Sequence, residues 1–193
     1  MSDLALYQYM LIGLIFIWSG FVRSGLGFGG AVLSLPFLLL VHDEPLVFLP
    51  LISVHLLIFS SLTIALNNRK SGRVQSGTGG TVNWPYLWKI LGIMIVPKLL
   101  GVIGLITLPS GVLSAIIFVI VVVYALGYIL NRPFRSNNRW VDVVFLMLGG
   151  YISGTSLIGA PLIIAVVAQH VAKEQLRDTL FALWFILVTI KMA

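Results

Sequence analysis

Long runs of apolar residues, separated by short polar connections, constrain the fold of this chain more than any other feature. Of its 193 residues, 59% are hydrophobic and only 9% are charged, and the mean hydropathy is +1.07. A soluble domain of this size needs more charged residues, because a small domain leaves much of its surface in water. A surface that faces lipid removes this conflict, so the composition predicts an integral membrane protein.

Eight segments are apolar enough to be membrane helices or parts of them. They are residues 4–22, 29–41, 45–66, 86–106, 109–130, 141–152, 159–171 and 176–192. A helix needs about 20 apolar residues to cross the membrane, so 29–41, 141–152 and 159–171 are too short to cross alone. These short segments predict broken or re-entrant helices. The predicted fold is all-α, a polytopic transmembrane helical bundle that forms one membrane domain over residues 1–193.

Basic residues cluster in two of the connections, at 67–85 and 131–140. Two predicted spans lie between these connections, so both face the same side of the membrane. The positive-inside rule places that side in the cytoplasm, and it accounts for the net charge of +6 without a nucleic-acid partner. We therefore expect a protein of the cell (inner) membrane whose partners are the lipid bilayer and a small solute. The sequence leaves open whether the protein forms a homo-oligomer.

Two stretches of similar sequence predict an internal repeat. Residues 24–31 (SGLGFGGA) and 153–160 (SGTSLIGA) are identical at four of eight positions. Each stretch follows one apolar run and precedes another, and a short polar connection and a further apolar helix come next. We interpret residues 4–130 as repeat one and 141–193 as an incomplete repeat two. The alternative is chance, because the chain contains 19 glycines.

The glycine-containing breaks in these stretches are candidate solute sites. Glycine allows unusual backbone conformations and lets a solute approach the backbone closely. A half-helix that begins after a break offers free N–H groups and the positive end of its dipole to an anion. On this reasoning the candidate binding residues are Gly25, Gly27, Gly29, Gly30, Gly154, Thr155, Ser156 and Gly159. Close helix packing is the alternative use of such small residues.

Residues 27–36 (GFGGAVLSLP) resemble the first-repeat signature of the TauE/SafE, or sulfite-exporter-like, transporter family, in which apolar residues and a proline follow a glycine-rich run. The basic stretch 69–73 (RKSGR) and the pair Asn83-Trp84 are also similar to that family, and 153–162 matches its second-repeat signature less closely. Family members usually continue with two further spans, so on this resemblance a sequence that stops at Ala193 is expected to be a truncated member or a fragment. The resemblance implies a secondary transporter of small sulfur-containing anions, such as sulfite, thiosulfate or organosulfonates.

Three ionisable residues near or inside predicted spans are further candidates, because such residues are unfavourable in a membrane. Lys98 follows Pro97 in the middle of a span, where it is either a counter-ion for an anionic solute or a snorkelling side chain. Arg23 precedes the first break, where its guanidinium either binds a sulfonate through two hydrogen bonds or anchors the helix at the interface. His55 is either a packing residue or a candidate for proton coupling.

Several kinds of chemistry are not indicated. The chain has no cysteine, which excludes disulfides and thiolate metal sites. It has no P-loop and no clustered metal-ligand spacing, so we expect no cofactor, no metal and no direct use of ATP. An enzyme is not expected. The alternative to a transporter is a non-transporting membrane scaffold or assembly subunit, which predicts tightly packed breaks without a cavity. A transporter predicts that both breaks, Lys98 and Arg23 meet at one cavity.

Overall fold

The regular secondary structure of the computed structural model is entirely α-helical within the residues it describes, which are 4–26, 30–71, 81–131 and 138–192. Eight helices follow one another along these parts of the chain. They are α1 (Leu6–Leu26), α2 (Gly30–Val41), α3 (Pro45–Ser71), α4 (Trp84–Thr107), α5 (Ser110–Ile129), α6 (Arg139–Ser156), α7 (Ala160–His170) and α8 (Lys173–Met192). The all-α prediction is therefore confirmed.

Four of the described helices are long and apolar enough to cross a membrane. The stretches concerned are Leu6–Arg23, Pro45–Leu66, Trp84–Thr107 and Ser110–Gly127. Large apolar side chains on these helices face outward, such as Ile17 on α1 and Ile106 on α4, which are 72% and 75% exposed. A surface of this kind suits lipid rather than water. The helices α2 and α7, with 12 and 11 residues, are apolar but too short to cross alone.

Local polar residues determine where α4 begins. The side chain of Asn83 accepts a hydrogen bond from the backbone amide of Tyr86, at 3.2 Å, and so caps the helix. Pro85 lies in the first turn of the helix, where backbone N–H groups have no partner inside the helix. The absence of an N–H group in proline therefore costs no hydrogen bond there. The amide of Asn83 donates to the hydroxyl of Thr179 on α8, at 3.0 Å, which ties the two helices together at this end.

The helices α1 and α2 form an antiparallel hairpin. Near the start of α1, the side-chain amide of Gln8 donates to the carbonyl oxygen of Val41 at the end of α2, at 3.0 Å. Trp18 and Phe37 pack edge to face between the two helices, with ring centroids 5.7 Å apart. The short helix therefore runs back along the long one.

The helices α6 and α7 form a second antiparallel hairpin. Asp142 near the start of α6 pairs with His170 at the end of α7, with Oδ2 and Nε2 3.5 Å apart. At the other end of the hairpin, a Cβ added to Gly159 would overlap the carbonyl oxygen of Gly149. Both hairpins thus consist of a long helix and a short helix, while the assignment of residues 4–130 and 141–193 as repeats stays a prediction.

The open ends of the two hairpins lie at opposite ends of the bundle. At the base of the first hairpin, the hydroxyl of Ser114 in the first turns of α5 donates to the carboxylate of Asp43. At the base of the second hairpin, Tyr86 near the start of α4 stacks on His170, with centroids 5.6 Å apart. Because α5 begins directly after α4 ends, at Pro109, the starts of these two helices lie a full helix length apart.

Glycines allow α4 and α6 to pack backbone against backbone. A Cβ added to Gly101 would overlap the carbonyl oxygen of Tyr151, and one added to Gly154 would overlap the carbonyl oxygen of Lys98. A Cβ at Gly150 would lie only 2.8 Å from the α4 backbone. Gly150 and Gly154 are four residues apart, the small-residue spacing that membrane helices use for close packing. This contact holds Lys98 against the inner end of the second hairpin.

Candidate functional site

Arg23 lies in the last turn of α1 and is buried, with only 4% of its surface exposed. Its Nη1 atom has no hydrogen-bond partner among the residues that the structure describes. The contact between His170 and Asp142 and the ion pair between Arg177 and Asp178, both within those residues, do not involve it. A buried guanidinium nitrogen without a partner is unfavourable, so this position favours an anion.

Arg23 lines a small cavity between the two hairpins. The cavity is bordered by α1, α3, α8 and the inner end of the second hairpin. Its lining residues are Arg23, Leu56, Ser153, Leu157, Ala160, Trp184, Leu187 and Val188. The volume is about 20 Å³, which is room for about one water molecule. No carboxylate is among the lining side chains.

Ser153 connects this cavity to Lys98. The Lys98 side chain is fully buried in α4, and its Nζ donates to the carbonyl oxygen and to the hydroxyl oxygen of Ser153, both at 3.2 Å. Because the hydroxyl oxygen accepts from Lys98, its hydrogen can point toward a different acceptor. Lys98 is not itself a lining residue of the cavity, so its contact with the cavity is indirect, through Ser153.

The N-terminus of α7 also borders the cavity. Ala160, its first residue, is a lining residue, and Gly159 at the cap position provides no side-chain hydrogen bond. The first amides of a helix have no partner inside the helix, and the dipole of the helix is positive at this end. Arg23, the Ser153 hydroxyl and the start of α7 therefore offer donors to one space from two hairpins.

The residues of the first break lie partly in helices and partly outside the described residues. Gly25 belongs to α1, and Gly30 is the first residue of α2. A Cβ added to Gly30 would lie 3.4 Å from Nε of Arg23, so this glycine packs beside the guanidinium. Gly27 and Gly29 are outside the described residues.

The predicted residues of the second break make contacts within the protein. Gly154 packs against α4, and Gly159 packs against Gly149. The hydroxyls of Thr155 and Ser156 donate to the carbonyl oxygen of Ile152 in their own helix, at 3.1 and 3.0 Å. None of these predicted residues is among the residues that line the cavity. Their role in solute binding stays a prediction.

His55 lies on α3, one residue before Leu56, and is not itself among the residues that line the cavity. Its ring is partly buried and packs against Phe16 and Phe59, with centroids 5.6 and 4.5 Å away. A Cβ added to Gly20 would lie 3.5 Å from its Nε2 atom. These contacts describe a packed histidine, and proton coupling stays a prediction.

Sequence reasoning did not single out most of the residues that meet near the second hairpin, among them Ser153, Leu157, Trp184 and Lys191. Nζ of Lys191 donates to the carbonyl oxygen of Thr155, at 3.3 Å. The helical spacing of Trp184, Leu187 and Val188 could have shown that they share one face of α8. No local sequence pattern identifies Ser153 or Leu157 as cavity residues. They line the cavity because the fold places Arg23 of α1 and Lys98 of α4 near them.

A bundle of apolar helices around a buried, positively charged cavity is typical of membrane transport proteins. The family model described as "Sulfite exporter TauE/SafE" matches residues 11–193. The chain therefore belongs to the TauE/SafE sulfite exporter family, as its glycine-rich motifs suggest, and it is an integral membrane protein of a transporter family. No curated protein and no solved structure matches it.

Proposed function

We propose that this protein is a secondary transporter of a small sulfur-containing anion, such as sulfite, thiosulfate or an organosulfonate. The observation that carries the proposal is the buried Arg23 guanidinium, which lines the cavity between the hairpins and has an Nη1 atom without a partner among the described residues. A guanidinium binds oxyanions through two parallel hydrogen bonds. Membership in the TauE/SafE family supports this class of solute.

The surroundings of Arg23 support a negatively charged solute rather than a neutral one. The start of α7, whose cap residue Gly159 makes no side-chain hydrogen bond, adds the positive end of a helix dipole to the cavity. The buried ammonium of Lys98 lies behind Ser153 and orients its hydroxyl. Apart from these donors and the indole of Trp184, the lining side chains are apolar, so little water weakens the electrostatic attraction.

The volume of the cavity indicates a closed conformation. Room for about one water molecule is too small for a sulfur oxyanion, so binding requires the hairpins to move apart. The first hairpin reaches the cavity from one end of the bundle and the second hairpin from the other. In the proposed mechanism, relative motion of the two hairpins exposes Arg23 to each side in turn, driven by an ion gradient or the membrane potential.

A non-transporting scaffold or assembly subunit is the second candidate function. The observation that favours it is the backbone contact between α4 and α6, which uses Gly101, Gly150 and Gly154 for close packing rather than for an open site. A scaffold does not require the unsatisfied Nη1 atom of Arg23, which is the reason that we place transport first.

The two functions differ in a sulfite flux experiment with proteoliposomes. Wild type is compared with Arg23→Gln and with Arg139→Gln, which removes the same charge from an exposed site at the start of α6. A transporter gives flux with wild type and Arg139→Gln, and flux at background with Arg23→Gln. Flux that is equal with and without wild-type protein removes the transport proposal for this solute and leaves the scaffold.

A further inference from the structure

The turn between α6 and α7 contains a residue with a rare backbone conformation. Leu157 has φ 61° and ψ 6°, which lies in the left-handed region. This region is disfavoured for residues other than glycine, because Cβ comes too close to the following carbonyl oxygen. Among the described residues, Asn131 is the other non-glycine residue with positive φ, and asparagine tolerates that region well.

Hydrogen bonding and packing hold Leu157 in this conformation. Its backbone N–H donates to the carbonyl oxygen of Ser153, at 3.3 Å, and the same oxygen accepts from Lys98. Its side chain is only 7% exposed and lines the cavity together with Arg23. The strained backbone therefore directs a bulky apolar side chain into the space where the proposed anion binds.

Leu157 also differs from the other lining residues in its freedom to move. All the others lie inside helices, whereas Leu157 lies in the turn after α6. Moving a helical residue shifts a whole helix, but a rotation of the Leu157 backbone breaks one capping bond and relieves an unfavourable φ. Strained residues of this kind often occur at ligand clamps and switches.

We propose that Leu157 determines the size of the anion that the cavity admits. This inference rests on the proposed transport function and adds a specificity-determining residue to it. In the closed conformation the Leu157 side chain fills volume beside the guanidinium of Arg23. A larger anion enters only when Leu157 leaves the left-handed region and its side chain moves out of the cavity.

The test is proteoliposome flux of methanesulfonate, ethanesulfonate and propanesulfonate, which share one charged group and differ by single methylenes. Wild type is compared with Leu157→Ala and with Leu146→Ala, which removes the same atoms from a buried site of α6 that does not line the cavity. We expect Leu157→Ala to raise the flux ratio of propanesulfonate to methanesulfonate at least about tenfold, because the two anions differ by two methylenes and a single methylene in an apolar pocket already gives about tenfold discrimination. Leu146→Ala keeps the wild-type ratio.

A second variant, Leu157→Gly, tests whether the effect of Leu157→Ala comes from a folding defect. Glycine accepts the left-handed conformation, so this variant removes the side chain and the backbone strain together. It is expected to change the flux ratio in the same direction as Leu157→Ala. An unchanged ratio in the folded Leu157 variants, or an equal change in Leu146→Ala, overturns the inference while transport stands. Absence of flux for sulfite and for every sulfonate in wild type instead removes the proposed function, and this inference with it.

Discussion

Lys98 and Ser153 are joined by two hydrogen bonds of 3.2 Å, from one ammonium group to the carbonyl and the hydroxyl oxygen of the same serine. The carbonyl belongs to the last turn of α6, where helix carbonyls lack partners inside the helix and carry the negative end of the dipole. Lys98 therefore stabilises the inner end of the second hairpin and holds Ser153, which lines the cavity together with Arg23.

Replacing Lys98 by methionine should weaken solute binding, since Ser153 loses both bonds while most of the length of the side chain is kept. Hydrogen bonds that involve a charged group contribute about 1.5–3 kcal/mol, so we expect the KM for sulfite to rise roughly tenfold or more. The matched control is Lys89→Met in the same helix, at an exposed position. The measurement is sulfite flux against concentration, and a KM that both variants leave at the wild-type value contradicts the role of Lys98.

Gly154→Ala should destabilise the protein, because the added Cβ overlaps the carbonyl oxygen of Lys98 on the neighbouring helix. Overpacking of this kind costs about 1–3 kcal/mol. Gly92→Ala in α4 is the control, since a Cβ there has nothing within 4 Å and alanine favours a helix. Thermal unfolding in detergent should give a lower Tm for Gly154→Ala alone. Equal Tm values for the two variants would show that α4 and α6 are not packed as described.

Single cysteines should report opposite sides for the two polar connections that follow the hairpins. The chain contains no cysteine, so Asp43→Cys and Glu174→Cys each introduce one thiol at an exposed position. A membrane-impermeant maleimide added outside intact cells should label Asp43→Cys and spare Glu174→Cys. Arg139→Cys, at the base of the second hairpin, should behave like Glu174→Cys. Labelling of Asp43→Cys and Glu174→Cys from the same side contradicts the opposite openings of the hairpins and the cytoplasmic assignment of the basic connections.

His55→Gln distinguishes a proton carrier from a packing residue. If His55 couples protons to transport, the variant loses flux driven by a pH gradient, because glutamine does not titrate. Exchange of sulfite across the membrane without a gradient should persist. His42→Gln serves as the control, since His42 lies after α2, away from the lining residues of the cavity. Equal gradient-driven flux in wild type and His55→Gln leaves His55 as a packing residue between Phe16 and Phe59.

The helices could be predicted from the sequence because they depend on local properties of the chain. Within lipid, each backbone amide must find its partner in the same helix, so a run of apolar residues is sufficient to identify a membrane helix. The predicted segments 45–66 and 109–130 correspond closely to α3 and α5. Pro85 and Asn83 mark the start of α4 for equally local reasons. The short lengths of 29–41 and 159–171 likewise indicated that α2 and α7 could not cross alone.

The site could be predicted only in part, because the same residue types serve solute binding and packing. Gly154 is equally suitable for a solute site and for a close helix contact, and only the position of α4 shows that it makes the contact. Ser153, which lines the cavity, lies in the same short stretch and carries no pattern that separates it from Ser156.

By itself, the sequence determined that this protein is a helical membrane protein and that Arg23 and Lys98 are candidates for an anion site. Only the tertiary structure decided that Arg23 is buried at a cavity rather than anchored at the interface, and that Lys98 is hydrogen-bonded to Ser153, another residue that lines this cavity. The physical reason is distance along the chain. Arg23 and Ser153 are far apart in sequence. The charge of Arg23, the hydroxyl of Ser153 and the cavity between them therefore come together only when the two hairpins pack against each other.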